Sequence, residues 1–481
     1  ALAAWWCGWC FLRSVSLLPA DAALPSAAPA SAAPPGLTAT VCGWGGGDQV
    51  PVTLLRPESL DGLRAALAGR RGGGAIARGM GRSYGDAAQL GGGLVLDTTG
   101  LASFELDADR GILTAQAGVT LGRVLAALAP AGWMLPVVPG TQHVTVGGAI
   151  ASDIHGKNHG AVGTFGAHVL ALGLLTSAGD VLELTPRQGG ELMAATIGGM
   201  GLTGVILWAR VSLRRFPSAL LSVDTDRFER LDDALATLDA PGGPHRVAWL
   251  DLLSRRPVRG VVTRAEQLVG ESTEGGARAR ATVTARIAVP EGWPGGLLRT
   301  SVVRAYNEFR FRRTPRRQAG HLEPFGAHMF PLDALEAWPR LYGHPGFVQY
   351  QAVLPRGEER ALEQLIAALR RSPVPCYLAV LKDFGPESDA PLSFPLAGWT
   401  LALDLPRSAS GLQALLSGFD ERVATAGGRV YLAKDARLRP DALAAMYPRL
   451  GDWHAVRDRA DPERVWRSDL GLRTGLIEAE R

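Results

Sequence analysis

Of the 50 basic residues in this chain of 481, three are lysine, at 157, 382 and 434, and the other 47 are arginine. Each lysine sits in a short string of glycine, histidine, aspartate or aromatic residues: DIHGKNHG (153–160), LKDFGP (381–386) and YLAKD (431–435). Arginine presents a planar fork and practically never gives up its proton, whereas an ammonium is a compact charge whose pKa shifts readily. Lysine kept at three such places points to a site that holds an anion, stabilises developing negative charge or moves a proton. An ordinary solvated surface charge is the alternative at each, most strongly at Lys157. His155 shares the string of Lys157, and its bland alternative is a histidine that satisfies loop carbonyls.

Glycine clusters supply a second chemistry. ARGMGRSYGD (77–86) carries Gly79, Gly81 and Gly85. The third glycine falls one position late for a Rossmann fingerprint, and the following AAQLGGGLVLD does not read as a helix, so that unit is excluded. What remains is a loop whose backbone N–H groups can form an anion-holding nest. PGTQHVTVGGAIASDIHG (139–156) places Gly140 and the pair Gly147-Gly148 where backbone could approach a ligand closely, and GGMGLTG (198–204) adds a third approach. Two loops about sixty residues apart suit a long dinucleotide with a pyrophosphate better than coincidental turns.

The elements that must position these residues are short. PESLDGLRAALAG (57–69) has helical spacing with a closing glycine, and TLGRVLAALAPAG reads as a helix capped by Thr120 and stopped near Gly132. GAIARG and GLVLDTT read as strands. FELDADRGILTAQAG and HVLALGLLTSAGDVLELT read as hairpins, turning at 109–111 and 178–180. ELMAATIGG is a short helix and GVILWARVSLRRF a strand. Strands in hairpins with helices interspersed give an α+β pattern. The character shifts near 218 and again near 428. The expected division is an extension over 1–36, a first domain over 37–217, an inserted domain over 218–428 and a return over 429–481. With 47% hydrophobic and 20% charged residues and a net charge of +4, the composition is that of an ordinary globular protein. Neither a nucleic-acid motif nor a metal-ligand spacing is present. Four cysteines, two of them in the WCGWC string at 6–10, give no disulfide framework, so a reducing compartment is the simpler expectation.

These strings resemble the vanillyl-alcohol-oxidase (PCMH) type of FAD-binding flavoprotein. Within it, ARGMGRSYGD, DIHGKNH, LKDFGPESDAPLSFPLAGW, YLAKD, MYPR and DPERVWRSD are similar to the decaprenylphosphoryl-β-D-ribose 2′-oxidases, over roughly 41–470. The resemblance implies an FAD domain interrupted by an inserted antiparallel-sheet substrate domain. It also implies oxidation of the ribose 2′-hydroxyl of a polyprenyl-phosphate sugar, with a separate NAD(P)H-dependent short-chain reductase completing epimerisation to the arabinose precursor of cell-wall arabinan. A sugar-1,4-lactone or alditol oxidase of the same fold is the alternative, and a flavin-free polyprenyl-phosphate binder is a third.

On the same grounds FAD contacts are expected from Ala77, Arg78, Gly79, Met80, Gly81, Arg82, Ser83, Tyr84, Gly85 and Asp86. The second loop adds Gly140, Thr145, Val146, Gly147, Gly148, Ser152, Asp153, Ile154 and His155, with Val205 and Tyr431 further on. Lys434, His155 and Tyr84 are the catalytic candidates; Lys382, Gln351, Trp249, Thr400, Ala402 and Lys434 are the substrate candidates. Lys157 is expected to support the flavin loop. Hydride transfer to a flavin builds negative charge near its N1, which a nearby cation stabilises.

Three departures bear on the pocket. Ala402 stands where the family's GWxxC string has cysteine, so an inhibitor that traps that thiol has no partner here. Thr400 replaces asparagine and Met329 replaces tyrosine. The run RAYNEFRFRRTPRRQ (304–318) holds six arginines. It is a solvated helix face or a mobile basic segment meeting anionic lipid, which would place the protein in the cytoplasm or peripherally at a membrane, a periplasmic site remaining open. Relatives with covalent FAD use a histidine in a Gly-His-Ser string, and here the string is Gly81-Arg82-Ser83. Non-covalent FAD is therefore expected: acid precipitation should leave the yellow colour in the supernatant, and a yellow pellet would contradict it.

Overall fold

The computed structural model describes residues 37–70, 72–269, 281–291 and 298–478. The 1–36 extension and its WCGWC string lie outside the described residues. Three sheets organise the rest. The first contains β1 (Leu37–Val41), β2 (Val50–Leu55), β3 (Ala75–Arg78) and β4 (Leu94–Asp97) in the order β1-β2-β4-β3. Helix α1 (Leu60–Ala68) forms where its spacing predicts; Ser59 Oγ accepts the N–H of Gly62 and Leu63 and Leu67 are buried.

Both β2 and β3 pair parallel to β4. The chain leaving Arg78 must therefore return to the far end of β4, and residues 79–93 make that crossing as an irregular glycine loop instead of a helix. Hairpin reasoning alone does not foresee this parallel pairing.

The second sheet is antiparallel and holds both expected hairpins: β5 (Phe104–Asp107) with β6 (Ile112–Gln116), and β7 (Val169–Leu175) with β8 (Val181–Leu184). Their turns use Gly111 and Gly179 at positive φ, 65° and 87°. Strand β9 (Val205–Ser212) joins the two, giving the order β5-β6-β9-β7-β8. Helix α2 (Leu121–Leu128) starts at Thr120 as expected. The second glycine segment departs from its loop reading: Val146–Ala151 is a short helix, α3, whose N-cap Thr145 accepts from Gly148 N–H at 3.1 Å. Glycine is required there by contact, since a Cβ on Gly147 would lie 2.8 Å from that of Ala117.

The third sheet is antiparallel, with strands β10 (Leu220–Phe228), β11 (His245–Asp251), β12 (Arg259–Gln267), β13 (Arg317–Pro324), β14 (Phe347–Pro355), β15 (Leu378–Phe384), β16 (Gly398–Pro406) and β17 (Arg429–Val430). Its order is β13-β10-β12-β11-β15-β16-β14-β17. The two-residue period of a strand divides its faces. Ala379, Leu381, Leu401, Leu403, Tyr350 and Ala352 pack into the core with the helices at 231–239, 359–371 and 412–425. Leu378, Val380, Lys382, Ala402, Gln349 and Gln351 face a cavity instead. The arginine-rich run forms helix α4 (Thr300–Arg313) and then enters β13. Val303, Asn307 and Phe311 on α4 are buried.

After β17 the chain returns to the first sheet. Ala75 N–H donates to Val465 O at 2.8 Å, and Arg467 N–H donates to Ala75 O at 2.9 Å. Helix α5 (Asp469–Thr474) carries Arg473, which bonds Asp86 at 2.7 Å and Asp435 at 2.9 Å. Buried Arg457 pairs with Asp461 at 3.1 Å, and Asp461 also accepts the N–H groups of Val465 and Trp466. Such a pair is held by its hydrogen bonds more than by charge attraction alone.

Candidate active site

A cavity of about 880 Å³ lies between the two glycine segments and the exposed face of the third sheet. Lys157, Lys382 and Lys434 all line it. Every lysine of the chain thus reaches one site, and the surface-charge alternative fails for all three.

The first glycine loop and the Lys434 turn are joined through the backbone, Tyr84 N–H donating to Ala433 O at 3.0 Å. A Cβ on Gly85 would lie 1.9 Å from Asp435 O, so only glycine permits this approach. Lys434 Nζ stands 3.6 Å from the centroid of the Tyr84 ring, a cation–π contact. Burial lowers Lys434 to about 7, Asp404 opposing the shift and Lys382 adding to it. Burial also lowers Lys382 to about 8, with Asp383 opposing. Lys157 falls to about 8 for the same first reason, Glu323 opposing and Lys382 adding. Its ammonium donates to the carbonyl of His328, and its own carbonyl accepts from Arg246 N–H, tying the second glycine segment to the third sheet.

His155 is buried among Phe384, Phe394 and Tyr431, whose ring centroids lie 4.7, 5.6 and 5.2 Å away. Burial holds its pKa well below 6.5, with Lys382, His159 and Lys434 adding to the shift, so the ring is neutral. Gln351 Nε2 lies 3.1 Å from His155 Nε2 and donates to Thr400 Oγ1 at 3.1 Å. The Gln351 amide and the neutral His155 ring are thus joined through Nε2. Burial raises the Tyr84 phenol far above its ordinary value, which keeps the hydroxyl a donor. Tyr431 donates its hydroxyl to Ser152 O at 2.8 Å.

Most expected contacts meet here. Ala77, Gly79, Met80, Gly81, Arg82, Ser83 and Tyr84 line the cavity from the first segment, and Gly140, Thr145, Gly147, Gly148, Ser152, Ile154 and His155 from the second. Tyr431, Trp249, Gln351 and Ala402 line it too. The others stand behind the wall. Arg78 donates to Ala88 O and Cys42 O, Gly85 packs on Asp435, and Asp86 pairs with Arg473. Val146 and Val205 are core residues, and Thr400 holds Gln351. Asp153 is fully buried and accepts from Gly166 N–H and from Ser393 Oγ.

Sequence reasoning missed several wall residues. Arg310 lies 4.2 Å over the Trp249 ring, and Trp44 lies under the expected Arg82, whose guanidinium is 3.6 Å from its ring. Gln349 was detectable, because it sits two residues from Gln351 on the same strand and so shares its face. Glu323 and His328, bonded at 2.7 Å, carry no local sequence signal.

Comparison with known proteins agrees with this geometry. A family model described as an FAD binding domain matches residues 51–185, and a D-arabinono-1,4-lactone oxidase model matches 406–473. The decaprenylphosphoryl-β-D-ribose oxidase of Mycolicibacterium smegmatis is 37% identical over 461 residues, 92% of this chain and 99% of that protein. The chain belongs to the decaprenylphosphoryl-β-D-ribose oxidase family. An uncharacterised Streptomyces coelicolor protein is 40% identical over 374 residues, 74% of this chain and 100% of that protein. The L-gulono-1,4-lactone dehydrogenase of Mycobacterium tuberculosis is 25% identical over 458 residues, 89% of this chain and 97% of that protein.

The residues present fit the FAD of this oxidase family. Among the described residues no acceptor takes the N–H of Gly81, Arg82 or Ser83, and all three residues line the cavity. Successive free N–H groups of this kind hold a pyrophosphate. The volume is within the roughly 300–1,000 Å³ of ligand clefts. Of the three lysines in the cavity, Lys434 has the most strongly lowered pKa. Lys434→Arg should fold and bind FAD yet lose at least about tenfold in flavin reduction rate, since guanidinium stays charged; stopped-flow absorbance measures this, and a near-normal rate would remove Lys434 from the chemistry.

Proposed function

We propose that this protein is an FAD-dependent oxidase converting the ribose 2′-hydroxyl of decaprenylphosphoryl-β-D-ribose to a ketone. In this reading residues 37–217 and 429–481 form the flavin side and 218–428 the substrate side. The observation that carries it is the convergence of three depressed lysines and a free N–H nest on one cavity, in a chain 37% identical to the mycobacterial oxidase.

FAD, held without a covalent bond, supplies the hydride acceptor. Lys434, its pKa lowered by burial to about 7, orients the 2′-hydroxyl and takes its proton on nitrogen. Neutral His155, fixed by Gln351, shapes the wall without contributing charge. Lys382 is the cation for the substrate phosphate, and Lys157 ties the flavin-side segment to the sheet. Trp249, Val247, Leu378 and Val380 provide an apolar wall for the start of a prenyl chain. The keto product suits a separate NAD(P)H-dependent short-chain reductase, whose hydride on the opposite face gives the arabinose epimer for arabinan.

Helix α4 leads from this wall to the outside. Arg310 lines the cavity, while Phe309, Arg312, Arg313, Arg316 and Arg317 are exposed. Each basic residue near an anionic bilayer contributes about 1 kcal/mol. Among the described residues no helix is long and apolar enough to cross a membrane, so contact through α4 would be peripheral. The protein should sediment with anionic vesicles at low salt and be released at high salt; failure to sediment would count against this.

The alternative, a soluble sugar-lactone or alditol oxidase, is favoured by the lactone-oxidase match over 406–473 and by the changed residues Met329, in the cavity wall, and Thr400, which holds Gln351 behind it. Anaerobic flavin absorbance separates the two. Bleaching by a short-chain prenylphosphoryl-ribose, and not by an aldonolactone or alditol, is the expected outcome; bleaching only by a soluble sugar would move the protein to the second activity. Bleaching should speed up as pH rises through about 7, where Lys434 loses its proton.

A further inference from the structure

The cavity wall is backed by a buried carboxyl that the reaction above does not use. Asp404 lies on β16, two residues beyond Ala402 and so on the same face, and is 1% exposed. Gln349 Nε2 donates to its Oδ1 at 2.6 Å, while Oδ2 has no hydrogen-bond partner among the described residues. Gln349 lines the cavity beside Tyr84, and the Tyr84 ring carries Lys434 Nζ on its face at 3.6 Å. Carboxyl, amide, phenol ring and amine, from four separate chain segments, thus gather at one side of the cavity, with the carboxyl held by the amide and the amine held on the ring.

No arginine, lysine or histidine pairs with Asp404 at ion-pair distance among the described residues, and Lys434 is the cation that acts on it. A buried carboxyl without an ion-pair partner is sensitive to any cation near it. We propose that Asp404, held by Gln349, is a positioning residue that sets the charge state of Lys434. The proposal rests on the oxidase reading. The hydroxyl proton passes from substrate oxygen to Lys434 nitrogen, the electron pair of the C–H bond leaves with the hydride taken by the flavin, and Asp404 gains or loses nothing. Its carboxylate stabilises the ammonium as that ammonium forms.

The groups around the pair leave this coupling exposed. Tyr84, Tyr342 and Cys376 face Asp404, and burial keeps all three protonated and neutral. Lys382 and His155 face Lys434, and His155 is neutral. Burial raises Asp404 to about 7, with Gln349 and Lys434 opposing, so the two partners titrate in the same range.

The test uses the unusual lysine count. Full-length, FAD-loaded protein labelled in lysine side chains gives three resonances, assigned with Lys434→Arg. Their pH midpoints are then compared between wild type and Asp404→Asn, which keeps shape and removes charge. The Lys434 midpoint should fall by roughly one unit while those of Lys157 and Lys382 hold. Gln349→Met should shift Lys434 in the same direction by less, because it removes the donor that favours the ionised carboxyl, and it serves if Asp404→Asn does not fold. An unmoved Lys434 midpoint overturns the proposal, as does a fall shared by all three lysines, which would signal general loosening. The titration needs no sugar. A responsive Lys434 in a protein whose flavin no prenylphosphoryl sugar bleaches would therefore sink the oxidase reading and leave the coupling standing.

Discussion

The contact between the first glycine segment and the turn 431–435 is the constraint on which the site depends. Tyr84 and Ala433 share a backbone hydrogen bond, Gly85 admits the carbonyl of Asp435 where no side chain could fit, and Arg473 clamps Asp86 and Asp435 together. Residues about 350 positions apart thereby become one rigid unit. The loop that carries the free N–H nest and the turn that carries Lys434 cannot move independently, so the nest and the Lys434 amine are positioned by the same few atoms. Helix α5 supplies Arg473, which gives the last residues of the chain a direct part in the site.

Burial explains why lysine was retained. The ammonium groups of 157, 382 and 434 sit in a cavity walled by Tyr84, Trp249, Val380 and Ala402, where water is scarce and a charge is poorly solvated. In that setting an ammonium drops into the range where it can exchange a proton near neutrality, and a guanidinium does not. The same wall keeps His155 neutral and holds phenols protonated. Lys434 is thus the most strongly lowered of the three lysines, and the surrounding residues act on it mainly by burial.

The third sheet turns a sequence alternation into two functions. One face closes the core with the helices at 231–239, 359–371 and 412–425, and the other presents Lys382, Gln349, Gln351 and Ala402 to the ligand. Asp404 shares that second face but lies just behind the cavity surface. A shift of one residue in any of these strands would exchange core for site.

Much of this was legible from local strings. Helices α1 and α2, both hairpins of the second sheet, the two glycine segments and the three lysines follow from spacing, capping and residue type, because those signals are carried by neighbours in the chain. The parallel pairing of β3 with β4 and the helical form of 146–151 did not follow, since each depends on a partner elsewhere: β4 closes the first, and Ala117 accepts Gly147 at contact distance in the second. Arg78, Val146, Asp153, Val205 and Thr400 belong to the right strings but stand behind the wall, a distinction of side-chain direction that no linear pattern encodes. Sequence alone pointed to the kind of chemistry, through glycine loops suited to a dinucleotide, three rare lysines, and strings that resemble a flavin oxidase family. Only the tertiary structure decided that those lysines share one cavity, that their protons are loosened by burial, and that Asp404 stands behind Lys434, because charge and proximity across hundreds of residues exist only once the chain has closed on itself.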